Sequence, residues 1–455
     1  MTSVLLVYPF FKFKRDRSVF RFPPLGIAYI AAALRQAGHS VTLLDCTFLQ
    51  REEALNRAEA AHADVVGLYC MVTMLDDCLL FARRLRSQAS LLIAGGPLPT
   101  CNPELFLEDF DVVVRGEAEA TMVELLEAIR DGDDLSNVAG IIYKERRTEG
   151  PSWRPIQTGE RPFIKELDRL PFPARELLPN DQYIRYGRKK YGYSITTVMS
   201  TRGCPYRCEF CSNVVFGGSY RERSPSGVVD EIEAALALGY ERISFADDVF
   251  TMKKARVIAI CDEILARGLH FHWECLGRVD SIDLATALKM KQAGCTRIYF
   301  GIESADEDIL RLMDKKITPA QARQAVDASH KAGLEVGAFF IVFYPGESKA
   351  TVLKTLRFAS ALPLDYLGLS LPYPLPGTRL HERVKDRIFR SWRQDESPFG
   401  GHLLIYKAEF SAGLMWFALF KGQAQFRLKK ILGRFAPLLL FPFERLTDGL
   451  FHIIS

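Results

Sequence analysis

The stretch Thr201-Arg-Gly-Cys204-Pro-Tyr-Arg-Cys208-Glu-Phe-Cys211-Ser-Asn213 gathers three of the chain's ten cysteines into one short loop. The other seven (Cys46, Cys70, Cys78, Cys101, Cys261, Cys275 and Cys295) sit in apolar or strand-like contexts, where a free thiol behaves as a small buried hydrophobe. Ten cysteines in 455 residues are too sparse for a disulfide scaffold and point to a reducing compartment. The loop spacing is C-x3-C-x2-C. A structural zinc site wants a second pair of ligands, and no His lies in the loop, the nearest downstream being His270. Three thiolates in a short run suit a [4Fe–4S] cluster with one iron left open. An open iron can be ligated by a substrate or cofactor.

The loop follows an apolar run, Thr196–Ser200, that begins a series. Further strands are expected at Arg242–Ala246, His270–Leu276, Arg297–Gly301, Glu335–Phe343 and Tyr366–Leu371. Helices fill the gaps at Ser226–Leu238, Lys253–Arg267, Asp283–Ala293, Pro319–Ala332 and Lys349–Ala361. Gly239, Gly268, Gly294 and Gly333 stand where a helix must stop and turn back into a strand. Six βα repeats predict an open parallel sheet or a partial barrel, too few strands for an eight-fold one.

Upstream, a second α/β alternation starts at Ser3–Tyr8 and, after a loop Pro9–Pro24, continues with a helix at Leu25–Gln36. Short β-branched runs end it near Asp111–Arg115 and Val138–Tyr143, the pattern of a doubly wound parallel sheet with ligands at the carboxyl ends of its strands. Residues 144–194 are proline-rich and lose periodicity, but Trp153, Phe163, Phe172 and Tyr183 imply a connector that packs. After residue 383 strand signals fade. Gly413–Pro442 mixes aromatic residues with Lys421, Arg427, Lys429 and Lys430, read as a helix covering the end of the second domain or lying on a membrane surface. The expected division is therefore 1–143, 144–194, 195–383 and 384–455. The net charge of +4, from 59 basic and 55 acidic residues, gives no case for nucleic-acid binding. Without an apolar run of bilayer length or a basic leader, the expected location is the cytoplasm.

The cysteine loop, with Phe210 before the last cysteine, resembles the radical S-adenosylmethionine (SAM) superfamily over roughly residues 195–383. The resemblance implies a (β/α)6 partial barrel in which Cys204, Cys208 and Cys211 hold the cluster. The open iron would bind the amino and carboxylate groups of SAM, which is then cleaved to methionine and a 5′-deoxyadenosyl radical. An external one-electron reductant of flavodoxin or ferredoxin type is implied as partner. Strand-end residues take roles by the same resemblance: Asp247 and Asp248 face the SAM ammonium, Arg278 pairs with its carboxylate, Glu303 in Gly301-Ile-Glu-Ser304 meets the ribose, and Phe210 lies near the adenine. Where the family more often has Gly-Leu before Pro345, this chain has Phe343-Tyr344.

A Rossmann-like domain ahead of such a barrel resembles the cobalamin (B12)-binding subgroup. Pro23-Pro-Leu-Gly26, Ala94-Gly95-Gly96-Pro97 and Val114-Arg-Gly116-Glu117 carry that likeness, and Gly95 and Gly96 would admit the corrin or its nucleotide tail. The lower-ligand His expected in Asp45-Cys-Thr-Phe48 is missing; His39 and His62 lie away from strand ends. The implied activity is cobalamin-dependent C-methylation of a small-molecule or lipid-like substrate. Alternatives are dehydration of a sugar diol without cobalamin, or cyclisation or rearrangement of a lipid or tetrapyrrole.

Overall fold

The first apolar run becomes β1 (Ser3–Tyr8), with Val4, Leu5, Leu6 and Val7 all buried. Leu5 and Val7 join one core and Val4 and Leu6 another, so both faces of the strand are covered, as in a parallel sheet sandwiched by helices. The computed structural model describes residues 1–11, 21–146, 153–389, 405–432 and 436–453. Part of the Pro9–Pro24 loop and residues 433–435 of the basic C-terminal stretch lie outside these.

Around β1 come α1 (Leu25–Gln36), β2 (Ser40–Asp45), α2 (Arg51–Ala60), β3 (Val65–Tyr69), α3 (Leu75–Leu85), β4 (Leu91–Gly95), α4 (Pro97–Cys101), β5 (Val112–Val114), α5 (Glu119–Asp131), β6 (Ile141–Arg146) and β7 (Trp153–Gln157). The sheet order is β2-β1-β3-β4-β5-β6-β7; the first five strands run parallel and the last two are added antiparallel. The chain crosses from one side of β1 to the other between β2 and β3, the switch point that opens a crevice at the strand carboxyl ends. The expected end at Tyr143 is corrected: β7 pairs with β6, so the first sheet runs on to Gln157.

The connector is not structureless either. It holds α6 (Asn180–Tyr191), and its aromatic residues pack: Tyr183 donates to buried Asp45 (2.6 Å), and the Arg221 guanidinium lies 4.8 Å from the centre of the Phe163 ring.

The second unit runs β8 (Ile195–Val198), β9 (Thr201–Arg202), β10 (Arg221–Glu222), α7 (Pro225–Ala237), β11 (Arg242–Phe245), α8 (Lys254–Ala266), β12 (His272–Gly277), α9 (Leu284–Gln292), β13 (Cys295–Glu303), α10 (Glu307–Leu312), α11 (Pro319–Lys331), β14 (Glu335–Ile341), α12 (Lys349–Ala361), β15 (Tyr366–Ser370) and α13 (Arg379–Val384). Six strands form one all-parallel sheet in sequential order, β8-β11-β12-β13-β14-β15. This is the expected partial barrel. The antiparallel pair β9–β10 is the base of the cysteine loop. The C-terminal segment is a helical pair, α14 (Ala412–Leu432) and α15 (Ala436–Ile453); Leu414, Met415 and Ala418 of α14 pack on Val352, Leu353 and Leu356 of α12.

One carboxylate fastens the first domain, the connector and the barrel together. Glu231 of α7, fully buried, accepts from Arg175 of the connector (2.5 Å), from Tyr29 of α1 (3.0 Å) and from Arg223 beside β10. Removing one partner from a buried ionic cluster leaves uncompensated charge. Glu231→Ala should therefore lower stability by about 3–5 kcal/mol, read as a shift of the urea midpoint. An unchanged midpoint would mean that water already serves these arginines.

Candidate active site between the two domains

The cysteine loop leaves β9 through Gly203, whose φ of +81° and lack of a side chain are both required, since a Cβ there would stand 2.2 Å from the Ser219 carbonyl. Cys204, Cys208 and Cys211 lie at the carboxyl end of the barrel, the first two half-buried and the third exposed. Burial first, and then the neighbouring cysteines and Asp248, push up the Cys204 thiol and raise that of Cys211 to about 12. Among the described residues no His, Cys, Asp or Glu trio closes around a single metal ion. A four-iron cube would take one thiolate at each of three corners, and its cationic irons would offset the burial and charge that raise Cys204 and Cys211, so this donor set fits a cluster.

The loop is clamped at its midpoint. Glu209 donates its N–H to the Met313 carbonyl (2.9 Å), and its carbonyl accepts from Leu380 N–H (2.9 Å). Its carboxylate accepts from the Tyr344 hydroxyl (2.5 Å) and from Arg383 (3.0 Å). Here the departure Phe343-Tyr344 acquires a reason. Phe343 is held at φ +63°, where a glycine would be unstrained, at a cost of about 1–2 kcal/mol. Its ring packs on Phe410 and Phe451, centroids 5.0 and 6.4 Å away, while Tyr344 reaches the cysteine loop.

The two strand-end aspartates separate. Asp247 is 1% exposed, and its oxygens accept from Ser200 N (2.6 Å), Thr201 N (3.0 Å) and the Ser200 hydroxyl, so it braces the entry to β9 rather than facing a cofactor. Asp248 is exposed, and burial of its surroundings followed by the Asp247 charge raises its carboxyl.

Arg278 is also engaged. It grips Asp280 through two bonds of 3.0 Å, donates to the Lys315 carbonyl (3.0 Å), and its guanidinium stacks 3.4 Å from the centre of the Tyr206 ring within the cysteine loop. A second cation beside the cysteines is Lys315, which sequence reading missed. Lys315 is buried, donates to Glu303 (2.9 Å), stands 5.7 Å from the Phe210 ring centre, and feels the charge of Cys208. Glu303, at φ +69°, accepts that bond, with Gly301 beneath: a Cβ there would meet Glu303 at 2.5 Å and Lys315 at 2.9 Å. Lys315 lies in a turn between α10 and α11, where no periodicity marks it.

On the first domain's side, a slot of about 240 Å³ opens between α1 and α5 at the carboxyl ends of the strands. Gly26, Gly67, Gly95, Gly96 and Gly116 line it, with Leu6, Ile93 and Met122. A Cβ on Gly67 would strike Leu6 at 2.8 Å, and one on Gly96 (φ +110°) the Cys70 carbonyl at 2.8 Å. A second space of about 380 Å³ adjoins it through Gly26, Ile27 and Tyr69, walled by Tyr8, Phe10, Thr47 and Met71 and, from the barrel, Thr197. No His lines either one. Such a glycine-cleared apolar slot, opening to a wider space above the strand ends, fits the flat base of a nucleotide tail and a macrocycle beyond it.

The slot's far wall belongs to the barrel: Met199, Arg202, Val215 and Phe216. Glu117 accepts from Arg202 (2.8 Å), from Arg221 (2.7 Å) and from Ile164 N (2.8 Å), and Glu119 accepts from Arg202 (2.5 Å). Both strands at the base of the cysteine loop are thus tied to the first domain.

Residues 198–359 match the family model of the radical SAM superfamily, and residues 15–126 that of the B12 binding domain. An uncharacterized methyltransferase of Pyrococcus horikoshii is 36% identical over 375 residues, covering 79% of this chain and 78% of that protein. The anaerobic magnesium-protoporphyrin IX monomethyl ester cyclase of Rubrivivax gelatinosus is 26% identical over 401 residues, covering 85% and 70%. In fold, the chain is similar to the radical SAM methyltransferase TsrM of Kitasatospora setae, solved with cobalamin and a [4Fe–4S] cluster (TM-score 0.71, 20% identity, 85% and 75% covered). It is also similar to the cobalamin-dependent enzyme OxsB, solved with aqua-cobalamin and SAM (TM-score 0.75, 17% identity, 100% and 72% covered). A (β/α)6 barrel with an open-iron cysteine loop behind a B12-type sheet defines a radical SAM enzyme of the cobalamin-binding kind. The chain belongs to the radical SAM superfamily, with a B12-binding domain at its front.

Glu347, after β14, is a buried carboxyl beside Tyr344. It accepts from Tyr344 N–H (2.9 Å), its other oxygen has no partner, and burial pushes its carboxyl up to about 7. The folded state then holds a proton that the unfolded state has lost above its ordinary 4.5, so stability falls as pH rises from about 4.5 to 7 and levels above. Glu347→Gln should remove that slope, on the order of 3 kcal/mol, from urea midpoints at pH 5 and 8 compared with wild type. Parallel slopes in both proteins would assign the pH dependence elsewhere.

Proposed function

We propose that the chain is a cobalamin-dependent radical SAM methylase that transfers a methyl group to an unactivated carbon of a small organic substrate. The observation carrying this reading is the shared wall: residues at the base and end of the cysteine loop, Arg202, Val215 and Phe216, also line the glycine slot. The two cofactor sites therefore face one space, as methyl transfer to a substrate radical requires.

When bound through Cys204, Cys208 and Cys211, the cluster supplies the electron that splits SAM into methionine and a 5′-deoxyadenosyl radical; cobalamin, in the slot past Gly95 and Gly96, supplies a methyl carrier. The protein's part is position and dryness. Asp248 faces the SAM ammonium. Lys315 takes the SAM carboxylate, with Arg278 committed through Nε and Nη2 to Asp280 and the Lys315 carbonyl and by its face to Tyr206. Arg278 instead stiffens the cysteine loop. Glu303 receives the ribose hydroxyls and Phe210 borders the adenine. Electrons come from an external one-electron donor. The cyclase relatives favour a second reading, in which the same radical closes a ring on the substrate.

Among the described residues no helix is long and apolar enough to cross a membrane. Phe420 and Leu446 (each 67% exposed) and Ile453 (78%) lie on the C-terminal helices, and we place this face against a membrane surface. Co-sedimentation with anionic vesicles that is equal for wild type and a Phe420→Ser/Leu446→Ser variant would reject it.

Anaerobic reconstitution should give iron and sulfide near four each per chain and a corrin absorption band with hydroxocobalamin. Cys208→Ala should abolish SAM cleavage; persistence of cleavage would remove the cluster assignment. Lys315→Met should raise KM for SAM about tenfold with iron content unchanged, whereas an unaltered KM would return the carboxylate to another residue. Transfer of label from the SAM methyl group to product separates methylation from ring closure.

A further inference from the structure

Strand alternation decides what the inside of the barrel presents. On β12, Trp273 and Cys275 join the core under the helices, so Leu276 faces inward, where it is 38% exposed. On β13 and β14, Ile298, Phe300, Val336, Ala338 and Phe340 face the helices, leaving Tyr299, Gly301, Gly337 and Phe339 inside; on β15 the inner set is Tyr366, Gly368 and Ser370.

The rings among these do not fill the interior. Tyr299 lies down on its neighbouring strand, where a Cβ on Gly337 would be 2.3 Å from its ring, and Phe339 lies likewise on Gly368, at 2.5 Å. The two rings are nearly parallel (19°) with centroids 5.7 Å apart, and Tyr366 abuts them edge-on at 5.9 and 6.0 Å. The glycines thus let Tyr299 and Phe339 lie low as a floor, with Tyr366 standing edge-on at its rim. Toward the cysteines the next inner positions are Gly301 and Ser370, which add no bulk. From Tyr299 to Glu303 is about 13 Å of strand, enough depth for a ring system beneath the SAM-binding residues. Toward the amino end the space is shut by Arg297, which bonds Tyr299 O–H (3.0 Å) and Glu335 (2.7 Å) and approaches Glu274 (3.7 Å).

We propose that this floor is the substrate platform and that the substrate is a flat, largely apolar ring system. The inference rests on the radical SAM reading above and names its substrate class. A hydroxyl-rich sugar would leave its hydroxyls unpaired over these faces, since the nearby charged groups are bonded to one another. A fused-ring or macrocyclic plane gains by burying its face on the rings.

The test uses holoenzyme reconstituted with iron, sulfide, SAM and hydroxocobalamin, titrated with zinc protoporphyrin in one arm and the fluorescent sterol dehydroergosterol in the other. One of the two should bind saturably, marking the source as a tetrapyrrole plane or a fused hydrocarbon. Phe339→Ala and, at the sheet edge where folding is safer, Tyr366→Ala should each weaken it by about tenfold, and Tyr366→Phe should restore it. Binding of neither probe, or binding indifferent to both alanine variants, overturns the inference. SAM cleavage by the wild-type holoenzyme is read separately: its absence strikes the radical SAM reading, while its presence without ring binding strikes only the platform.

Discussion

Glu117 receives Arg202 on one oxygen and Arg221 on the other, and those two arginines are the strands from which the cysteine loop springs. Every other feature of the site inherits its position from this buried bridge. Ion pairs taken fully out of water add little net stability, because desolvation opposes their attraction. Their effect here is on register: an Arg without its carboxylate would be a stranded charge, so the loop base can sit against the first domain in one way. The same contact makes Arg202 and Phe216, which flank the cysteine loop, a wall of the glycine slot at the strand ends of the first sheet.

Around that space, charge is distributed by commitment. Asp247 spends both oxygens on protein partners, and Arg278 its Nε and Nη2, so both act as braces. Asp248 remains accessible, and the Lys315–Glu303 pair stands under the loop. Burial and neighbouring charge raise the Cys204 and Cys211 thiols, and cationic iron would reverse that, so metal, loop and Lys315 are electrostatically coupled. Local strain is placed where two packings meet: Phe343, left-handed, has its ring among C-terminal aromatics while its neighbour Tyr344 holds Glu209. A glycine there would relax the backbone and lose the anchor.

Much of the fold was legible because its signals are local. Strand runs and helix stops placed all six barrel strands to within a few residues, since apolar runs ended by glycine are set by neighbours in sequence. The first sheet's true end at Gln157 was not legible, because β7 is an exposed edge strand, WRPIQ, with little apolar pattern to announce it. The helix α6 in the connector was missed for a like reason, its face being largely polar.

The chain's order of residues determined the cysteine spacing, the glycines of the slot and the two α/β units, each a matter of short-range chemistry. Only the tertiary structure decided which charged groups are free. Asp247 and Asp248 are adjacent and identical in type, yet one is sealed by Ser200 and the other open; Arg278 grips Asp280 and stacks on Tyr206, while Lys315 is buried against Glu303 and Phe210. Partners at those sites come from strands and turns tens of residues away, and a hydrogen bond is a property of distance in space, to which sequence separation gives no guide.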